Sequence, residues 1–151
     1  MSQLSIEEAE LKFLDRLHPL AILAVRLALG IIMIAHGWQK LSGGMPRFMG
    51  FLSSMGIPGW AGYFSVAAEF GGGILLIVGL LTRLAAVSIF IDMVVAVAKV
   101  HWKNGLMSSP GKVGYEFPLA CGVIAFALIL LGAGPISLDG AFFRGGGNAR
   151  K

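Results

Sequence analysis

Eight ionisable side chains sit inside or at the ends of long apolar runs: Arg26, His36, Lys40, Glu69, Asp92, Lys99, His101 and Glu116. Each costs roughly 2.5–3.5 kcal/mol to place in a membrane span, so such residues face a helix bundle, pair with one another, or serve function. Two chemistries suit this set. Two histidines and two glutamates, His36, His101, Glu69 and Glu116, could ligate a transition metal such as iron, manganese or zinc. The Glu-x-x-His spacing of helical di-metal bundles is absent. Alternatively, a histidine donor and a carboxylate proton acceptor in a dry pocket could hold a quinone headgroup and manage its protons. Glu69 and His36 are the candidate catalytic pair, and His36, Lys40, Glu69, His101 and Glu116 the candidate cofactor-binding set. The single cysteine, Cys121, excludes an intrachain disulfide, a CxxC redox pair, a CxxCH haem attachment and a cysteine-held iron–sulfur cluster. Electrons must therefore come from a bound cofactor, a substrate or a partner chain.

Depth and helical phase group these residues. Arg26 lies six residues into the first apolar run and Asp92 eight into the third from the same side. At 1.5 Å per residue their depths differ by about 3 Å, so a structural ion pair joining the two helices is expected. His36, Lys40, Glu69, Lys99, His101 and Glu116 come from the opposite ends of four runs. His36 and Lys40 are four apart and share a helix face. Asp92 and His101 are nine apart, about 180° round an α-helix, and cannot both face inward unless the helix unwinds. Bland roles stand beside these: His36 satisfied by a carbonyl or by Glu69, His101 and Glu116 merely solvated at the interface, Lys40 and Lys99 snorkelling to headgroups. Cys121 reads as a small packing residue.

The elements that must position them are transmembrane helices. In 151 residues, charged side chains are 13% and hydrophobic ones 56%, with a mean hydropathy of +0.81. A water-facing surface cannot be covered with so few charges, so lipid must cover much of it. The net charge of +4 carries no basic run interleaved with aromatics, which argues against nucleic acid. The expected fold is all-α, an integral membrane four-helix bundle of two antiparallel hairpins, with spans at 20–41, 60–81, 84–101 and 115–134. An N-terminal segment, 1–19, is expected to form a short amphipathic interfacial helix over 5–17, capped by Ser5 and Glu8, after which Pro19 opens a new element. The four-helix domain then covers 20–140, and 141–151 forms a flexible tail. Breaker residues Gly43, Gly44, Pro46, Pro58 and Gly59 mark the first connection as a loop. Trp38, Trp60 and Trp102 fall at one boundary, as an aromatic belt would place them. Lys12, Arg16, Arg83, Arg144, Arg150 and Lys151 outnumber the basic loop residues of the other side, Arg47, Lys103 and Lys112, which puts both termini in the cytoplasm. Arg26-Leu27-Ala28 echoes Arg83-Leu84-Ala85, and Glu69-Phe70 echoes Glu116-Phe117, as two parallel repeats would.

The chain resembles the DoxX family of small four-helix membrane proteins from Arg26 to Asp139. The landmarks are Arg26-Leu27-Ala28-Leu29-Gly30, His36-Gly37, Lys40-Leu41, Met55-Gly56-Ile57-Pro58 and Ala68-Glu69 with Gly71-Gly72-Gly73. Gly79-Leu80-Leu81-Thr82-Arg83, His101, Glu116 and the Gly132-to-Asp139 exit complete them. The resemblance implies a bacterial-type inner (plasma) membrane location and a link to redox chemistry. Relatives include the membrane subunit of thiosulfate:quinone oxidoreductase, and a member found with superoxide dismutase and a sulfurtransferase. The leading reading is therefore a redox-linked membrane component binding a quinone or metal, acting alone or as the membrane subunit of an oxidoreductase with a soluble redox enzyme as partner. The other readings are a non-catalytic anchor or scaffold, and a small-solute transporter with Glu69 as proton relay, which would need a homo-oligomer.

Overall fold

The computed structural model describes residues 3–144, with side chains described over 12–142. The described residues are helical apart from turns and connections. Helix α1 (Gln3–Ser42) is followed by α2 (Met45–Ser54), and α3 (Ala61–Val78) leads through a tight hairpin into α4 (Thr82–Asn104). A loop then leads to α5 (Glu116–Leu131) and a short α6 (Leu138–Arg144). The residues of α1 from Lys12 onward, α3 and α4 make three helices long and apolar enough to cross a membrane.

Three expectations need correction. The N-terminal segment is not a separate helix: α1 runs unbroken through Pro19. Proline removes one backbone hydrogen bond and crowds the carbonyl four residues back. The side chains of Lys12–His18 are all exposed, so that turn is free to tilt toward solvent and absorb the loss. At 40 residues α1 is about 60 Å long, roughly twice the thickness of a bilayer core, so it extends well beyond the hydrocarbon. The side chains of the Ser5–Glu8 capping box lie outside the described residues. Second, the first connection holds helix α2, because Pro46 sits at its first positions, where a missing N–H costs nothing. Third, α5 ends at Leu131, short of the expected span, because Gly132 turns the chain with φ 74°. The following residues fold back over α1, and residues 141–144 of the expected tail belong to α6. The rest of that tail lies outside the described residues.

The core forms where α1, α3, α4 and α5 meet. Leu29 and Met33 of α1, Leu76 of α3, Ala86 and Ile89 of α4, and Ala125 and Leu128 of α5 are all fully buried. Glycine sets the closest crossing. A Cβ built on Gly30 would lie 2.9 Å from the Gly73 carbonyl oxygen, and one on Gly73 only 2.8 Å from that of Gly30. Backbones approach this closely in membranes only where the side chains are small. On the outside, Ile31, Phe64, Leu84, Ile91, Val123 and Leu130 are exposed around the helices, the apolar surface that a bilayer covers.

At the hairpin end, a side-chain lock joins three elements. Gly79 (φ 71°) and Leu81 (φ 48°) turn the chain between α3 and α4 in left-handed conformations. The Asp139 carboxylate accepts from the Leu81 and Thr82 amides, at 2.8 and 2.9 Å, and so caps the N-terminus of α4. Anionic groups are favoured at that positive helix end. Arg26, 2% exposed, donates to the carbonyls of Ala133 and of Ile136, the latter at 2.8 Å. Partial burial pushes the Asp139 carboxyl upward. The two amide bonds, the Thr82 side chain and the Arg26 charge outweigh this and hold it below the usual carboxylate value.

Candidate functional site

At the opposite end of the helices, α3 and α4 part. They pack together near the hairpin and separate beyond it, while α2 covers the gap. The result is a cavity of about 1030 Å³. Its walls are mostly apolar: Phe48, Phe51 and Leu52 from α2, Trp60 just ahead of α3, Phe64 and Ile74 from α3, and Leu84, Ile91 and Val95 from α4. Trp60, Phe64, Leu84 and Ile91 are also 57–69% exposed on the outer surface. The cavity therefore opens sideways between α3 and α4, toward the face that lipid covers.

Polar groups gather at its inner wall. Lys40 Nζ lies 2.6 Å from Glu69 Oε2, donates to Ser65 Oγ at 2.9 Å, and sits 4.7 Å from the Phe48 ring centre. Glu69 is 3% exposed, and Lys40 is the one cation paired with it among the described residues. His36 Nδ1 donates to its own helix at the Ile32 carbonyl, 2.9 Å away, and its ring stacks on Phe117 at 4.8 Å between centroids. With Nδ1 committed as donor, Nε2 remains as the other face of the imidazole. Asp92 lines the same cavity from α4, with Ser65 as its neighbouring hydroxyl and Lys40 as the cation whose field reaches it. His101 also lines it, its Nδ1 donating to the Val113 carbonyl at 2.9 Å.

Both flanking helices depart from α-helical winding at this level. Glu69 stands in a π-helical stretch, Ala67–Gly71, and His101 closes another, Ala96–His101. Bonding from i to i+5 widens the helix and resets the phase of everything beyond it. In a regular helix Asp92 and His101 would face opposite ways; the π stretch between them brings both to the cavity. Such bulges occur frequently at functional sites.

Other expected members stand elsewhere. Arg26 and Asp92 do not pair: the guanidinium is taken by the carbonyls after α5, while Asp92 belongs to the cavity. Comparable depth allowed that pairing, but the carbonyls freed by the turn at Gly132 lie closer to hand. Glu116 accepts from the Ser108 amide at 3.1 Å and pins the loop ahead of α5 rather than lining the cavity. Lys99 is exposed. Among the described residues no three His, Cys, Asp or Glu side chains converge as metal ligands, so His36, Glu69, His101 and Glu116 do not form a metal set. Cys121 is buried in the core. Ser65, Phe117 and the α2 aromatics are site residues that no charge pattern marked. Ser65 alone carried a signal, being four residues before Glu69 and so on its face.

Comparison with known proteins agrees with this architecture. The sequence model of the DoxX family matches residues 21–102. The chain is 31% identical over 123 residues to "Putative oxidoreductase CatD" of Bacillus subtilis (strain 168), covering 82% of this chain and 87% of that protein. It is 33% identical over 75 residues to "Inner membrane protein YqjF" of Escherichia coli (strain K12), covering 48% of this chain and 55% of that protein. No solved structure matches it significantly. With the matched segment running from α1 through all but the last turn of α4, the chain belongs to the DoxX family.

Proposed function

We propose that this protein is a redox-linked component of the inner membrane whose cavity binds a quinone, with the ring at Lys40, Glu69 and His36. The carrying observation is the pairing of an apolar chamber open to the lipid face with one compact polar cluster at its inner wall. A quinone has the matching anatomy: a ring whose oxygens accept hydrogen bonds, and an apolar tail that must stay in the bilayer. At about 1030 Å³ the chamber is ample for a ring and the first part of a tail. Lys40 supplies a charge-assisted donor to a ring oxygen. Glu69 and His36 provide proton-accepting and proton-carrying groups beside it. Phe48 and Phe64 supply aromatic faces against the ring plane.

The relative named as an oxidoreductase supports a redox role, and the one named as an inner membrane protein supports the location. Four helices crossing the membrane, with both termini in the cytoplasm, fit this reading, and α1 then emerges from the bilayer before Pro19. With no cysteine cluster or haem motif in the sequence, a soluble redox enzyme is the natural partner for electrons. The test is quenching of tryptophan fluorescence in lipid nanodiscs by a decyl-substituted benzoquinone, because Trp60 lines the cavity. Saturable quenching weakened at least about tenfold by Lys40→Met supports the reading, since charge-assisted hydrogen bonds carry about that much affinity. Non-saturable quenching that Lys40→Met leaves unchanged rejects it.

A further inference from the structure

Among the groups lining the cavity, one cation faces two carboxylates. Lys40 is committed to Glu69 at 2.6 Å, and its second contact is the Ser65 hydroxyl rather than Asp92. The neighbouring histidines do not help Asp92, because each spends its Nδ1 proton on a backbone carbonyl, at Ile32 and at Val113. Ser88, one turn before Asp92 on the same face, turns its hydroxyl to the Leu84 carbonyl at 3.0 Å. Arg26, the partner that depth alone suggested, is occupied at the far end of the bundle. Beyond the field of Lys40, the Ser65 hydroxyl is the one donor beside the Asp92 carboxylate among the described residues. An ionised carboxylate has about four acceptor positions, so this one presents spare acceptor capacity to a cavity with apolar walls. An acceptor left without donors in such surroundings is unfavourable, and a guest that brings one is rewarded.

We infer that Asp92 is a ligand-binding residue that makes the cavity favour the reduced, dihydroxy form of its guest, the quinol, over the quinone. The two forms differ at one point of recognition. Quinone oxygens only accept, which suits Lys40; quinol hydroxyls also donate, which suits Asp92 on the α4 wall. Lys40 and Asp92 belong to different helices bordering the same chamber, so one ring can address both. A hydrogen bond to a charged group is worth about ten- to a hundredfold in affinity. Each tenfold preference for the reduced form raises the two-electron potential of the bound couple by about 30 mV. The inference rests on the quinone reading of the cavity and adds the redox state that the site selects.

The experiment is anaerobic equilibrium dialysis of the full chain in nanodiscs against decyl-benzoquinone and, separately, against its fully reduced quinol. The expected result is quinol binding at least about tenfold tighter than quinone, with that ratio falling towards unity in Asp92→Asn. The ratio measured on the unmodified chain stands even if Asp92→Asn fails to fold. Equal affinities for both forms would overturn the inference while leaving the cavity a quinone site. A quinol preference that survives in folded Asp92→Asn would overturn the role of Asp92. Binding of neither form would overturn both this inference and the functional reading beneath it.

Discussion

Lys40 Nζ and Glu69 Oε2, 2.6 Å apart, join the end of α1 to the π-helical turn of α3 and form the charged centre of the cavity. The two partners are unequally placed: the Lys40 side chain is 22% exposed and that of Glu69 only 3%. Losing either one therefore has different consequences.

Lys40→Met leaves a buried carboxylate without its cation, and removing one partner of a buried pair typically costs about 3–5 kcal/mol. Because Lys40 is partly accessible, the lower end of that range is expected. Glu69→Gln leaves a lysine that still has the Ser65 hydroxyl and the cavity mouth, so a cost of about 1 kcal/mol is expected, the worth of a modest hydrogen bond. Thermal unfolding in mild detergent should rank Lys40→Met as the more damaging change. The reverse order would mean that Glu69 has another partner.

Asp139 gives the hairpin-end lock an acid limit. Its carboxyl is held below the usual carboxylate value in the folded chain, chiefly by the Thr82 and Leu81 amides. A group depressed on folding contributes stability that is fully present above its unfolded pKa, about 3.9, and lost as pH falls through its folded value. Unfolding followed from pH 7 downward should show the wild-type chain losing stability below about pH 4, with that component absent from Asp139→Asn.

Neighbouring glycines should respond unequally to the same change. Gly73→Ala places a methyl 2.8 Å from the Gly30 carbonyl oxygen, where α1 and α3 cross. Overpacking of this kind costs about 1–3 kcal/mol. Gly71→Ala meets nothing within 4 Å and should stay within about 0.5 kcal/mol of the parent. Melting temperatures of the two variants check this without any ligand.

The π-helical stretch of α4 should be removable. Deleting Val97 restores regular winding and leaves His101 eight residues, about 80°, from Asp92, so that both stay on the cavity side. The chain should still fold, since the buried core of α4 lies at Ala85–Met93. Binding of the decyl-benzoquinone should be retained, since His101 keeps its place on the cavity wall. Loss of binding in a folded deletion variant would mean that the π widening itself shapes the site.

Much of this was legible in the residues. Apolar runs bounded by Gly and Pro marked the helices, because the hydrocarbon admits little else, and the cost of buried charge marked Lys40, Glu69, His36 and Asp92. What escaped depends on chain geometry that residue type does not encode. Helical phase computed at a fixed 100° set Asp92 and His101 on opposite faces, and only the π winding reconciles them. Arg26 was matched to a carboxylate because sequence displays charges but not freed carbonyls. Those carbonyls exist because Gly132 ends α5 early. Pro46 reads as a breaker and Pro19 as the start of a new element, yet Pro46 opens α2 and Pro19 is absorbed within α1. Asp139 showed no signal as a cap because the helix it serves begins 57 residues earlier in the chain.

The most direct measurement of the central claim is photolabelling with an azido-substituted decyl-benzoquinone in native-like membranes, mapped by peptide mass spectrometry. The expected labels fall on the cavity walls, at Phe48, Phe64, Ile91 or Val95, and are displaced by unlabelled quinone and diminished in Lys40→Met. Labels confined to the lipid-facing surface at Ile31, Val123 or Leu130, with no displacement, would contradict a quinone site between α3 and α4.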